Sequence, residues 1–391
     1  YEVLREDFPV VYHEGTDAWL VSRHEDCLTV LKSKVASTEN YSWQIEPVHG
    51  RTIINMDGKE HTMHRRLLTP FFHREGLDAF KPTIKRTAEE LLDPVVAEAN
   101  QHLDAEGRAT VDLHNSFNKQ YPISVIEEML NLPKKDHAAF EGWYTDIMGY
   151  IGNLAGEEEL FAKGLKAREE MTEYFVPLIQ ERREAEGADL LTQMCQADVD
   201  GDRLSDEEVR AFVSLMLTAG GETTDRALGN MIMRLIEHPD QLRAVYEDRS
   251  LVVDAFAETM RHTGPVHVSG RYALEDIEVS GVTIPKGATI TCLISSANRD
   301  PRRFERPEEF DIFREDNDTD RAFSANSDHL GFIAGRHFCV GAMLAKTEVE
   351  FGINAILDRM GDLRFADGFT PKPQGLFTRG VDELLVSYQP R

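Results

Sequence analysis

The chain has 391 residues, with 69 Asp and Glu against 43 Lys and Arg, for a formal net charge of −26. That acidic excess excludes a nucleic-acid binder, which neutralises phosphates with Lys and Arg, and a protein held on an anionic membrane surface. Four cysteines, Cys27, Cys195, Cys292 and Cys339, stand far apart with no C-x-x-C pair, against both a disulfide-stapled scaffold and a structural zinc site. No apolar run approaches the ~20 residues of a membrane span.

In chain order, Pro9–His13 and Ala18–Val21 read as strands around a Glu14-Gly15-Thr16-Asp17 turn, with a helix following. Residues 36–56 show no period and read as irregular. From His61 to Arg261 apolar residues recur at three- and four-residue intervals, which predicts helices around 84–99, 122–130, 164–182 and 207–237. Beyond Arg261, residues 270–291 predict a hairpin and 301–331 an irregular stretch rich in Asp, Arg, Pro and Phe. A helix over 341–360 and a strand near 384–386 complete the chain. No repeat and no Gly/Ser or Pro run divides it. The pattern predicts a mainly α fold with small β-sheets, an α+β class, in one domain over 1–391.

One predicted helix is unusual. Ser205-Asp206-Glu207-Glu208 forms a capping box and Pro239 marks the other end, leaving a helix of about 48 Å. Its middle, Phe212–Thr218, is apolar almost all round, as burial on every side requires. Ala219-Gly220-Gly221-Glu222-Thr223-Thr224 follows. Adjacent glycines inside a helix cost about 1 kcal/mol each relative to Ala, so they mark close packing or a locally opened helix. An acid and two hydroxyls beside them favour a binding site, because buried polar groups need partners.

Cys339 stands in Phe332-Ile333-Ala334-Gly335-Arg336-His337-Phe338-Cys339-Val340-Gly341, ahead of a helix rich in Ala, Leu and Glu. A helix N-terminus with Arg336 and His337 nearby favours a thiolate, so Cys339 reads as a metal ligand or nucleophile. The other three cysteines read as small buried hydrophobes.

The spacing of Phe332, Gly335, Cys339 and Gly341 resembles the haem-ligand loop of cytochrome P450. Glu258-Thr259-Met260-Arg261 resembles that family's E-x-x-R pair. Asn298-Arg299-Asp300-Pro301, with Phe304, Pro307 and Phe310, resembles the segment before the haem loop. Ala219–Thr224 resembles its oxygen-activation motif, and Glu60–Arg66 its propionate-gripping helix. One position departs: Ile333 stands where the bacterial family usually has Gly, which implies a repacked loop with haem retained.

The resemblance implies a bacterial-type, single-domain P450 fold with a long central distal helix. It implies a haem-thiolate monooxygenase carrying haem b on Cys339, with His61, Arg65, Arg271 and His329 on the propionates. Ala219, Gly220, Phe332 and Gly341 complete the cofactor-binding set, and Glu258 and Arg261 form a structural pair behind it. Thr223 is implied to hydrogen-bond dioxygen or a water, and Glu222 to relay protons. A helix kinked at Gly220-Gly221 is implied to make room for dioxygen. Leu215, Val266, His267, Val268 and Phe377 line the implied pocket for a small or medium organic substrate. No four-Cys cluster or flavin-binding glycine signature stands in the sequence, which implies a separate ferredoxin and reductase carrying NAD(P)H electrons. His64, Arg65, Arg66, Arg74, Arg336 and His337 are implied as the docking face. The expectation is a cytoplasmic monomer. The alternatives are a P450-type oxidase for coupling or desaturation in secondary metabolism, and a haem-binding protein without turnover.

Overall fold

The computed structural model describes residues 1–391, the side chain of Arg74 excepted. The helices are α1 (Glu2–Asp7), α2 (His24–Lys32), α3 (Ser42–His49), α4 (Gly58–Leu68), α5 (Arg74–Asp78), α6 (Lys81–Ala99), α7 (Tyr121–Met129) and α8 (His137–Gly152). They continue with α9 (Glu158–Glu184), α10 (Leu190–Gln196), α11 (Asp206–Glu237), α12 (Pro239–Glu247), α13 (Leu251–His262), α14 (Ile294–Ala297) and α15 (Ala342–Arg359). The strands are β1 (Val10–His13), β2 (Ala18–Val21), β3 (Ala36–Ser37), β4 (Ala109–Asp112), β5 (Val268–Ala273), β6 (Ile277–Val279), β7 (Val282–Ile284), β8 (Thr289–Leu293), β9 (Met360–Phe365) and β10 (Leu385–Pro390). Among the described residues no helix is long and apolar enough to cross a membrane.

The chain gathers into two compact units, the first of residues 1–36, 84–122 and 222–391, the second of 37–83 and 123–221. In the first, a five-stranded sheet has the order β1-β2-β8-β5-β3. Its β1–β2 hairpin is the one read from the sequence, with Val10 opposite Val21. β2 then runs parallel to β8, bringing Val21 beside Cys292. Against this face α2 packs Cys27, Val30 and Leu31, so Cys27 and Cys292 are core residues, as expected. The single hairpin expected over 270–291 is two nested pairs, β5 with β8 and β6 with β7. A second sheet, β4-β10-β9, joins residues 109–112 to the C-terminus. Four residues carry too short a period to mark β4 without that distant partner.

In the second unit, Phe140 and Trp143 of α8 interlock with Tyr174 and Phe175 of α9, ring centroids 5.4 to 6.3 Å apart. Residues 36–56 are not irregular: they contain α3, which holds Pro47 within it and ends before Gly50. Two breakers masked the helix in the sequence. Its terminal carbonyls, unsatisfied in any isolated helix, accept from distant arginines: Arg168 donates to Glu46 O and Pro47 O at 3.3 and 3.0 Å. Arg210 donates to His49 O at 2.6 Å.

The capping box of α11 forms as read: the Ser205 N–H donates to Glu208 Oε2 at 2.7 Å, and the Glu208 N–H to Ser205 Oγ at 3.3 Å. The opening expected at Gly220-Gly221 is absent, for α11 runs uninterrupted over its 32 residues. Close packing surrounds both glycines: a Cβ on Gly221 would lie 3.1 Å from Ile123 Cγ1. A Cβ on Gly220 would lie 2.7 Å from Ile126 Cδ1, a clash.

Candidate active site

The Cys339 loop is built by short local bonds and an aromatic belt. Gly335–His337 form a single 3₁₀ turn. The Cys339 N–H then donates to Phe332 O at 2.9 Å, closing the loop before Gly341 caps α15. Phe332 itself is buried against Phe256, Phe323 and Phe338, with centroids 6.3, 5.8 and 6.3 Å away. Cys339 is the one cysteine not buried, whereas burial pushes the Cys27 thiol up and the Cys195 thiol to about 11. Ile333 has φ +62, left-handed backbone, which gives the physical reason for a glycine at that position. The branched residue costs on the order of 1 kcal/mol there, and its side chain packs on the α2 core.

Two buried arginines of the same unit differ in how they are satisfied. Arg261 donates to Glu258 Oε1 and Oε2, both at 2.7 Å, and to the carbonyls of Asn298, Pro307 and Glu309, which uses all five of its N–H groups. Arg314 adds a second cation 3.1 Å from Glu258, as the sequence did not indicate. Arg271, 2% exposed, uses only Nη1, on Ser269 Oγ and Gly270 O. Its Nε and Nη2 are buried with no partner among the described residues. The same is true of His329 Nε2. Because the Gly331 N–H donates to His329 Nδ1 at 3.1 Å, the ring proton sits on Nε2. Burial, then Arg261 and His24, lower this imidazole to about 3.

On α11 the Thr378 hydroxyl donates to Glu222 Oε1 at 2.8 Å, and Arg226 lies 3.5 Å from the same oxygen. The turn carrying Thr378 also joins the candidate pocket residues. Val266 bridges Thr378, and the His267 N–H donates to Phe377 O at 2.9 Å. Burial, then Arg379 and Arg299, lower His267 to about 4, so it is a neutral ring. Val268 opens β5, and Phe377 is exposed.

Two polar residues in this unit escaped the sequence reading. Thr224 donates to Glu348 Oε2 at 3.4 Å, and burial pushes this carboxyl well above the usual carboxylate range. An acid four residues after Leu344 and four before Gly352, on the buried stripe of α15, was a readable signal. Thr378 had none, since only the fold brings it to Glu222.

In the second unit, His61 is buried and Arg65 half-buried one turn later on the same face of α4. His64 is not a surface cation as expected: it is 3% exposed, with Nε2 3.0 Å from Glu208 Oε1 and Nδ1 3.0 Å from Glu60 O. On α11, Leu215 is buried, whereas Ala219, one turn on, is exposed and Gly220 half-buried. His49 crosses from α3 to this helix, with Nδ1 2.7 Å from Ser214 Oγ and Nε2 3.2 Å from Thr218 Oγ1.

A family model described as Cytochrome P450 matches residues 156–361. Pulcherriminic acid synthase of Bacillus subtilis (strain 168) is 37% identical over 390 residues, covering 99% of this chain and 94% of its own. The chain belongs to the cytochrome P450 family. Cytochrome P450 monooxygenase PikC of Streptomyces venezuelae is 32% identical over 360 residues, covering 90% of this chain and 80% of its own. Substrate-free CYP109E1 from Bacillus megaterium has the same fold, with a TM-score of 0.88 at 28% identity over 100% of this chain and 98% of its own. This P450 is therefore a haem-thiolate monooxygenase.

The residues present fit haem. Three N–H groups of Arg271 and one of His329 are buried donors without an acceptor among the described residues, as two propionates require. Cys339 stands ahead of a helix N-terminus, two residues before the Gly341 that caps α15.

Proposed function

We propose that this P450 inserts one oxygen atom of dioxygen into a small or medium organic substrate, by hydroxylation, epoxidation or O-dealkylation. It works in the cytoplasm as a monomer and as one haem domain over residues 1–391. Haem b, ligated by Cys339, supplies the electron-rich iron that favours O–O cleavage. His61, Arg65, Arg271 and His329 hold its propionates, and Phe332, Gly341, Ala219 and Gly220 shape its surroundings. The observation that carries the reading is Arg271, a buried guanidinium with three N–H groups left for an anionic guest.

The protein's own residues do the rest. Glu222 takes up protons and Thr223 passes them on through its hydroxyl. Leu215, Val266, His267, Val268 and Phe377 exclude water and orient the substrate, with neutral His267 able to donate to a substrate oxygen. Electrons come from NAD(P)H through a ferredoxin and its reductase. Support for an acidic partner comes from a cleft of about 420 Å³ under the Cys339 loop, lined by Lys32, Arg303 and Arg321 against Asp328 alone. Arg65, Arg66, Arg336 and His337 are the further cations we assign to docking, while the side chain of Arg74 lies outside the described ones and His64 is excluded by its burial. Arg66→Glu slows reduction by a ferredoxin and flattens its salt dependence; unchanged kinetics remove Arg66 from the face.

The test is turnover under isotopically labelled dioxygen with a surrogate ferredoxin, reductase and NAD(P)H. The reading predicts one labelled oxygen atom in the hydroxylated or epoxidised product or, for O-dealkylation, in the aldehyde released and trapped. A coupled or desaturated product without the label favours the second reading, an oxidase of secondary metabolism. The synthase name of the 37% identical relative supports that alternative.

A further inference from the structure

The turn over residues 374–382 is built tightly against Glu222. Gln374 and Gly380 exchange backbone hydrogen bonds of 2.8 and 3.1 Å, and the Arg379 N–H donates to Pro265 O at 2.8 Å. Gly375 has φ +108, and a Cβ there would meet Thr378 O at 1.9 Å, so only glycine gives Thr378 this position. Gly380 likewise lets Arg226 pass, since a Cβ would lie 2.5 Å from Arg226 Cδ. Arg226 in turn pairs with Glu222, donates to Val381 O at 3.1 Å, and pairs with Asp382. Asp382 is half exposed and accepts from Gln374 Nε2 at 2.7 Å. Thr378 itself is half-buried, with its hydroxyl on Glu222 Oε1.

We propose that Thr378 is the proton inlet to Glu222. The Thr378 O–H bond breaks as an O–H bond forms on Glu222 Oε1, and the Thr378 oxygen regains a proton from solvent water on its outer side, itself resupplied from bulk. Arg226, anchored by Asp382, holds the carboxylate at 2.8 Å from its donor. The acid is thus refilled through the turn that also carries Phe377 and bridges Val266. This rests on reading Glu222 as the relay acid.

The experiment uses haem-loaded enzyme with dioxygen, NAD(P)H, a surrogate ferredoxin and reductase, and no organic substrate. It reads how consumed NAD(P)H divides between hydrogen peroxide and water, and the solvent deuterium isotope effect on consumption. Thr378→Val keeps the haem content and the reduced carbon monoxide spectrum, but water-forming turnover falls about tenfold or more. Peroxide rises in step, and the isotope effect increases. Thr378→Ser, which keeps the hydroxyl, restores the wild-type division. If Thr378→Val divides NAD(P)H like the wild type while Glu222→Gln does not, the inlet is overturned and the relay acid stands. If Glu222→Gln also behaves like the wild type, the relay reading fails, and the inlet with it.

Discussion

Arg261 and Arg271 are both 2% exposed or less, yet they serve opposite ends. Arg261 spends every N–H on protein, and its partner Glu258 also accepts from the Asp311 N–H at 2.9 Å and from Arg314 at 3.2 Å. Arg271 leaves three N–H groups over, and His329 Nε2 is likewise buried without a partner among the described residues. A buried charge without full hydrogen bonding is costly in a finished structure. On the proposed reading the first network is scaffold, complete in itself, and the second is a receptor completed by a guest. Burial alone does not separate the two roles; the tally of donors does.

Removing partners from each side tests this contrast. Glu258→Ala strands two cations, a loss of ~3–5 kcal/mol; expression should give little haem-loaded protein, checked by haem absorbance against total protein. Normal haem content would mean that the closed network is dispensable. Arg271→Leu breaks only two protein hydrogen bonds, so the chain should fold while haem escapes about ten- to a hundredfold faster, as measured by transfer to a scavenger protein. If instead it unfolds like Glu258→Ala, Arg271 is scaffold too.

The smallest effect belongs to the second unit's own closed seam. His49→Phe leaves Ser214 and Thr218 without their ring partner and should cost about 1–3 kcal/mol in thermal or urea unfolding. Burial, then Arg210 and Arg168, hold the folded His49 down to about 3, against 6.5 for a free ring. Between those values only the unfolded chain binds the proton. The stability this ring contributes is therefore intact above about pH 6.5 and lost as pH falls toward 3. His49→Phe should soften that acid loss; an unchanged pH slope would show that His49 is already protonated in the folded chain.

Much of the candidate site was legible because it is written in local spacing. The Cys339 loop, the Glu258–Arg261 pair, the Ser205–Glu208 box and the histidine and arginine of α4 each fit within one or two turns of chain. What escaped depends on partners far away in sequence. α3 looked broken by Pro47 and Gly50 because the arginines that cap it lie in α9 and α11. His64 looked like a surface cation until α11 brought Glu208 to it. Gly220 suggested an opened helix, whereas Ile126 shows a packing need. Ile333 was noticed as a departure, and its positive φ supplies the reason.

The central claim, that Cys339 is a thiolate ligand to haem iron, is tested most directly by the reduced carbon monoxide difference spectrum. The wild-type protein should show the Soret band of a thiolate-ligated haem, and Cys339→His should lose that band while any haem it holds gives the band of an imidazole ligand. A wild-type spectrum without the thiolate band, or one that survives in Cys339→His, would contradict it.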